Sequence, residues 1–143
     1  MAIQISGITV IDNNRRFYGD TNLNNFFANG AGNATATGTN NNFFGYQSGL
    51  YNCSGSYNNF FGYNSGRFNT SGAYNSFFGT FSGCGNSTGS CNSAFGHLAG
   101  CTMSSGSNVT TIGFNAQPSS GTVSNEVTIG TAGLAGSTVY GKP

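Results

Sequence analysis

The sequence predicts an all-β fold, a parallel β-solenoid of about seven 17-residue coils. Three observations lead to this prediction. A motif of the kind Asn-Asn-Phe-Phe-Gly recurs at a constant interval, Gly, Asn, Ser and Thr dominate the composition, and strong helix formers such as Leu, Glu, Lys and Arg are scarce. Of the 143 residues 24 are glycine and 14% are aromatic, so the chain has apolar surface to bury and is not expected to be disordered.

The repeat keeps its length from copy to copy. Seven copies occupy residues 21–134. The first has Ala28 at the glycine position, and the other six have a glycine every 17 residues: Gly45, Gly62, Gly79, Gly96, Gly113 and Gly130. A unit this short cannot contain two helices, whereas it fits two short strands and two glycine-containing turns, which form one coil of a solenoid. Coils stack about 4.8 Å apart, so seven of them predict a rod of roughly 34 Å.

Two phenylalanine columns define the predicted core and interface, a column being the residues at one position in successive coils. Adjacent side chains of a strand point to opposite faces. We predict that the column that never turns polar is the core: Phe27, Phe44, Phe61, Phe78, Phe95, Ile112 and Ile129. The preceding column is predicted to lie between chains: Phe26, Phe43, Phe60 and Phe77. Because a thin coil cannot bury both faces, we expect a homotrimer.

Two further columns carry polar or reactive side chains. One predicts a ladder of side-chain amides, each bonded to those above and below, unless Asn is present only because it tolerates turns: Asn24, Asn41, Asn58, Asn75 and Asn92. Cys84 and Cys101 share the other column, with Cα atoms about 4.8 Å apart. That distance suits either a disulfide or two buried thiols. The start of the chain lacks signal-peptide features, so cytoplasmic synthesis and reduced thiols are expected.

Both ends lie outside the repeat. Residues 1–20 contain an extended apolar stretch that we interpret as an attachment arm or as a cap on the exposed end of the solenoid: Ile3, Ile5, Ile8, Val10 and Ile11. Residues 135–143 are too short for a domain, and we interpret them as a second cap or as the tip of the rod. The predicted organisation is therefore an arm, a seven-coil solenoid over residues 21–134, and a short tail.

Charge and residue chemistry argue against several classes of function. The formal net charge is +1, so the basic patch of a nucleic-acid-binding protein is missing. No apolar run approaches the roughly 20 residues of a membrane span. His97 occupies a repeat position, and the acidic residues are only Asp12, Asp20 and Glu126. We therefore predict no catalytic residues, no metal site, no cofactor and no enzymatic activity.

The repeat resembles two kinds of fibrous protein. Residues 41–66 read Asn-Asn-Phe-Phe-Gly-Tyr-Gln-Ser-Gly and, after a spacer, Ser-Gly-Ser-Tyr-Asn-Asn-Phe-Phe-Gly-Tyr-Asn-Ser-Gly. They resemble the head repeats of trimeric adhesins and the fibre proteins of tailed phages. Residues 2–13 look like the N-terminal segment of structural and tail-fibre proteins of cyanophages and related marine phages. The resemblance implies a left-handed β-roll trimer, although the 17-residue period is longer than that of the adhesins.

The resemblance implies a structural fibre or decoration protein of a phage tail or head. Such a protein is made in the host cytoplasm, resides in the virion, and mediates assembly and host attachment. Its expected partners are copies of itself and other virion proteins bound through the N-terminal arm. Five tyrosines either contact a host surface glycan or only pack in columns: Tyr46, Tyr51, Tyr57, Tyr63 and Tyr74. The alternatives are an extracellular filament subunit that grows by strand addition, or the head of a bacterial trimeric adhesin.

Overall fold

The structure, a computed structural model, describes residues 3–5, 8–11, 22–33 and 37–130, the first two segments as backbone only. This part of the chain forms two sheets, a two-stranded antiparallel one and a seven-stranded parallel one. The strands are β1 (Ile3–Ile5), β2 (Ile8–Ile11), β3 (Asn25–Phe27), β4 (Asn42–Phe44), β5 (Asn59–Phe61), β6 (Ser76–Phe78), β7 (Ser93–Phe95), β8 (Thr110–Ile112) and β9 (Val127–Ile129). Within these residues, no helix has the length and apolar character that a membrane crossing requires.

The parallel sheet confirms the predicted β-solenoid. Each strand before β9 pairs with the strand one repeat later without a register shift, so that Phe43 lies opposite Phe60 and Phe60 opposite Phe77. Seven strands are therefore joined by six complete circuits of the chain. A constant repeat length makes this possible, because every residue meets its own equivalent in the next coil.

Each coil contains one three-residue strand and not the two strands that its length suggested. The rest of the coil consists of turns, in which residues such as Tyr57 (φ +59°) and Asn64 (φ +54°) take the left-handed conformation. These turns curve too tightly for a second strand. Their backbone groups still bond between coils, as the Tyr57 amide does to the Thr39 carbonyl at 2.9 Å.

The two phenylalanine columns are exchanged relative to the prediction. The residues predicted to lie between chains form the inner column, and Phe43, Phe60 and Phe77 are fully buried and stacked, with ring centroids 4.8 and 4.9 Å apart. The residues predicted to be the core form the outer column, in which every member lies at least partly in solvent: Phe27, Phe44, Phe61, Phe78, Phe95, Ile112 and Ile129. Phe26, at the first coil, is partly buried and stacks on Phe43 at 5.1 Å.

A glycine opposite the strand explains which ring points inward. A Cβ atom built on Gly49 would lie 2.4 Å from the ring of Phe43, and one built on Gly66 would lie 2.5 Å from the ring of Phe60. The interior of one coil therefore holds a single ring, and the glycine makes the room for it. The second phenylalanine of each pair must then point outward, because side chains alternate along a strand.

The inner column becomes small or polar toward the C-terminal end because other residues take over its volume. Ala94 replaces the phenylalanine, and Met103 is buried beside it, close to Gly100. Val109 replaces an asparagine of the interior and is also buried. A core column can therefore change to Ala94 and Thr111 where neighbouring side chains fill the space.

The described residues of the N-terminal segment are strands, as the apolar stretch predicted. Strands β1 and β2 pair antiparallel, with Ile3 opposite Ile11 and Ile5 opposite Ile8. Its role as an attachment arm or cap stays a prediction. Residues 12–21 and the tail predicted as a cap or tip, residues 135–143, lie outside the described residues.

Candidate interaction surface

The outer column forms an apolar strip along the solenoid. Its rings stack at centroid distances of 5.9 Å for Phe27 and Phe44, 4.8 Å for Phe44 and Phe61, 4.9 Å for Phe61 and Phe78, and 5.2 Å for Phe78 and Phe95. Ile112 and Ile129, each 41% exposed, continue the column, and its four phenylalanines of stated exposure are 37% to 65% exposed. The strip exposes on the order of 500 Å², within the range of the largest patch on a typical monomer.

A polar ladder borders this strip on the same face of the sheet. The first residue of each strand points outward like the third. In the first three coils this residue is asparagine, and the side-chain amides bond to each other, from Asn25 to Asn42 at 2.7 Å and from Asn42 to Asn59 at 2.8 Å. The sheet therefore presents two parallel columns to solvent, one apolar throughout and one polar in the first six strands and apolar at Val127.

The exposed tyrosines form short stacks of their own. Centroid distances are 5.4 Å for Tyr46 and Tyr63, 5.0 Å for Tyr57 and Tyr74, and 5.4 Å for Tyr51 and Phe68. Stacked rings cover one another's faces, so the sides that face each other are closed to a sugar, and the edges with their hydroxyls remain open. The glycan contact stays a prediction, limited by this geometry to ring edges and to the outermost faces of each stack.

Arg67 lies against one of these stacks. The central carbon of its guanidinium is 5.2 Å from the ring centroid of Phe68 and 5.9 Å from that of Tyr51. Within residues 22–33 and 37–130, Arg67 and Glu126 are the only formally charged side chains, and the buried Nε atom of Arg67 has no hydrogen-bond partner there. Cation–π attraction of about 0.5–2 kcal/mol offsets part of this cost. The described surface is thus nearly neutral, which does not favour a polyanionic partner.

The predicted asparagine ladder lies inside the solenoid and is built differently from the prediction. All five of its residues are fully buried: Asn24, Asn41, Asn58, Asn75 and Asn92. The Oδ1 atom of each accepts the backbone N–H of the next residue in the column, as between Asn41 and Asn58 at 2.9 Å. Each Nδ2 donates to a glycine carbonyl, as from Asn58 to Gly72 at 2.8 Å. The asparagine side chains therefore join the coils mainly by hydrogen bonds to backbone groups. Within this column, Nδ2 of Asn41 also donates to Oδ1 of Asn24 at 3.0 Å.

A second buried ladder was missed in the sequence. The Nδ2 atom of Asn69 donates to Oδ1 of Asn52 at 2.7 Å, and that of Asn86 to Oδ1 of Asn69 at 2.9 Å. All three side chains are fully buried. The signal was present, because Asn recurs here in three successive coils and a glycine follows three residues later. Met103 ends this ladder where the inner column loses its phenylalanine.

No family model, curated protein or solved structure matches this chain. The resemblance to phage fibres and adhesin heads therefore stays a prediction.

The cysteines are free thiols. Cys84 and Cys101 are half-buried in one column, with Sγ of Cys84 4.0 Å from the Cys101 carbonyl oxygen, so the structure has the thiol pair and not the disulfide. Cys53 and Cys91 are exposed. The imidazole of His97 packs on Phe114, 5.5 Å between ring centroids. Among the described residues, no group of three or more His, Cys, Asp or Glu side chains is arranged to hold a metal ion.

Cys84 is expected to react slowly and to make stability depend on pH. Burial, with a further contribution from Cys101, raises the pKa of the Cys84 thiol from 9.0 to about 11. The protonated thiol therefore stabilises the folded state. This contribution is fully present below pH 9.0 and is lost as the pH rises towards 11. At about pH 8, iodoacetamide should modify the exposed Cys53 much faster than Cys84, as followed by site-resolved mass spectrometry.

Two comparisons control this prediction. In denaturant the two cysteines should react at similar rates, and Cys84→Ala should reduce the loss of stability between pH 9.0 and 11. Equal modification rates in the folded protein would contradict the prediction.

Proposed function

We propose that this chain is a structural fibre or decoration protein of a virus particle, whose copies associate side by side through the outer column. The observation that carries the proposal is that this column stays apolar in all seven coils although it is exposed. An isolated solenoid would tolerate polar residues there, and even the buried inner column includes Thr111. A strip of this kind is typical of a surface that another molecule covers.

Copies of the same chain suit the strip better than an unrelated partner. Every chain presents the same straight column at the same spacing, so two strips can match along their whole length. With Arg67 and Glu126 as the only formal charges of the described residues, little electrostatic repulsion opposes this contact. The roughly 500 Å² of the strip is less than the roughly 800 Å² that each partner contributes to a standard interface. A closed trimer, in which each chain touches two neighbours, adds the flanking columns to the contact.

The remaining parts of the chain have roles consistent with a fibre. The solenoid provides a rod whose neighbouring coils are joined by buried amides. The segment of β1 and β2 is proposed to dock on other virion proteins, and the edges of the tyrosine stacks to contact a host surface glycan. The place of action is then the virion. These assignments depend on the resemblance of residues 2–13 and 41–66 to phage fibre proteins.

The oligomer is tested by placing a charge in the strip. Native mass spectrometry of the full chain should give three times its mass of 14.7 kDa, and Phe61→Glu should give the mass of one chain with an unchanged circular dichroism spectrum. Tyr74→Glu, at a 60% exposed position of another column, is the control and should remain trimeric. A monomeric wild-type chain, or a trimeric Phe61→Glu variant, would refute the lateral association.

The virion assignment needs a separate test. An antibody raised against the purified chain should label particles recovered from a lysed culture that produces it, as seen by electron microscopy. Labelling confined to long filaments or to bacterial surfaces would instead support the filament subunit or the adhesin head.

A further inference from the structure

One glycine column marks the closest approach of successive coils. The column has five glycines: Gly38, Gly55, Gly72, Gly89 and Gly106. A Cβ atom built on any of them would lie 1.9 to 2.3 Å from the carbonyl oxygen at the same position in the next coil. The obstructing atoms belong to the backbone, so they cannot move aside without separating the coils. In-register stacking therefore requires glycine at this position in each of these five coils.

The last described coil has valine at this position. A Cβ atom built on Gly106 would lie 1.9 Å from the carbonyl oxygen of Val123, so Val123 belongs to the same column. By the geometry of the preceding coils, the Cβ atom of Val123 points to where the carbonyl of an eighth coil would lie. The side chain of Val123 is partly buried and packs against the core cluster that contains Met103 and Val109. It therefore covers the end of the interior.

Other residues of this coil also depart from the repeat. Gln117 occupies a glycine position of the earlier coils and turns its side chain back to the preceding coil. Its Oε1 atom accepts from the Thr102 backbone N–H at 3.0 Å, and its Nε2 atom donates to the Leu98 carbonyl at 2.5 Å. A side chain thus occupies backbone groups of the preceding coil, as is typical of a capping repeat.

Glu126 occupies the position of the buried asparagine column one coil after Val109. Its carboxylate accepts hydrogen bonds from the Ser119 backbone N–H at 2.7 Å and from the Ser119 hydroxyl at 2.5 Å. These bonds lower the pKa of Glu126, so the carboxylate is held charged within its own coil. Every earlier asparagine of the column offers its Oδ1 atom to the following coil, as Asn75 does to Asn92, whereas Glu126 uses its acceptors locally.

We propose that Val123 closes the C-terminal end of the solenoid, so that no further coil of this repeat, from the same chain or from a second copy, stacks in register on β9. Assembly along the rod axis then has one closed end, and copies associate side by side or through the opposite end. A filament that grows by adding coils at its C-terminal end is excluded. The proposal concerns the end of the rod and is independent of the trimer.

An inserted coil tests this closure in the full chain. A copy of residues 63–79 placed between residues 130 and 131 keeps the repeat in phase. With Val123→Gly, the inserted coil should stack, and amide exchange in peptides that span its junctions should slow on the order of tenfold or more. With Val123 unchanged, these amides should exchange as an unstructured segment does.

Val123→Ala with the same insertion is the matched control. Alanine loses most of the apolar contact of valine but keeps the Cβ atom, so the insertion should stay unprotected. Exchange in β4–β7 reports whether the rest of the solenoid is folded. Equal protection of the insertion with valine, alanine and glycine would overturn the proposal, as would an unprotected insertion in the glycine variant. A monomeric mass would refute the proposed lateral association and would leave this result unchanged.

Discussion

Gly72→Ala is expected to lower the free energy of unfolding by about 4 kcal/mol or more, enough to prevent stable folding of a marginal domain. The added Cβ atom would lie 2.2 Å from the carbonyl oxygen of Gly89 and 2.5 Å from Oδ1 of Asn69. The first atom belongs to the backbone of the next coil, and the second belongs to a buried ladder. Relief of either clash separates two coils and breaks their hydrogen bonds. Urea unfolding followed by circular dichroism measures the loss.

Ser71→Ala is the control for this variant. Ser71 is exposed on the same turn, and its backbone N–H continues to bond to the Ser87 carbonyl. The change should alter the free energy of unfolding by no more than about 0.5 kcal/mol. If Gly72→Ala were as stable as this control, the coils could not approach each other as closely as the structure has them.

Phe60→Ala should cost about 3–5 kcal/mol of unfolding free energy, because it removes a fully buried ring. Phe60 stacks between Phe43 and Phe77, with centroids 4.8 and 4.9 Å away, and Gly66 lies against its ring. Because Gly66 has no side chain that can move into the space, the cavity left by the ring stays open. Denaturant titration at a fixed, low chain concentration measures the loss without a contribution from association.

The neighbouring residue provides the control, since Phe61 belongs to the outer column. Phe61→Ala should cost much less stability under the same conditions and should instead weaken the association of chains. A larger loss for Phe61→Ala than for Phe60→Ala would mean that the faces are assigned the wrong way round. The pair thus tests the inner and outer columns with one chemical change made at adjacent positions.

The sequence alone determined the architecture of the solenoid, as the register of the sheet illustrates. Gly45, Gly62 and Gly79 recur at one interval, and a parallel stack is the arrangement in which identical positions meet. Glycine and asparagine supplied many of the positive φ angles of the turns, although Tyr57, Tyr74 and Leu98 also take the left-handed conformation. The period and the composition of the turns are properties of the sequence itself, so they could be predicted without knowledge of the contacts between coils.

The tertiary structure decided which phenylalanine of each pair is buried. Phe60 and Phe61 are identical in chemistry, and alternation states only that they point to opposite faces. The choice depends on Gly66, which lies across the coil and leaves room for one ring. The gradual change of the inner column to Ala94 misled the prediction, because Met103 compensates from a distant turn. Contacts between turns across the coil set the volume of the interior, and a repeat pattern alone does not contain them.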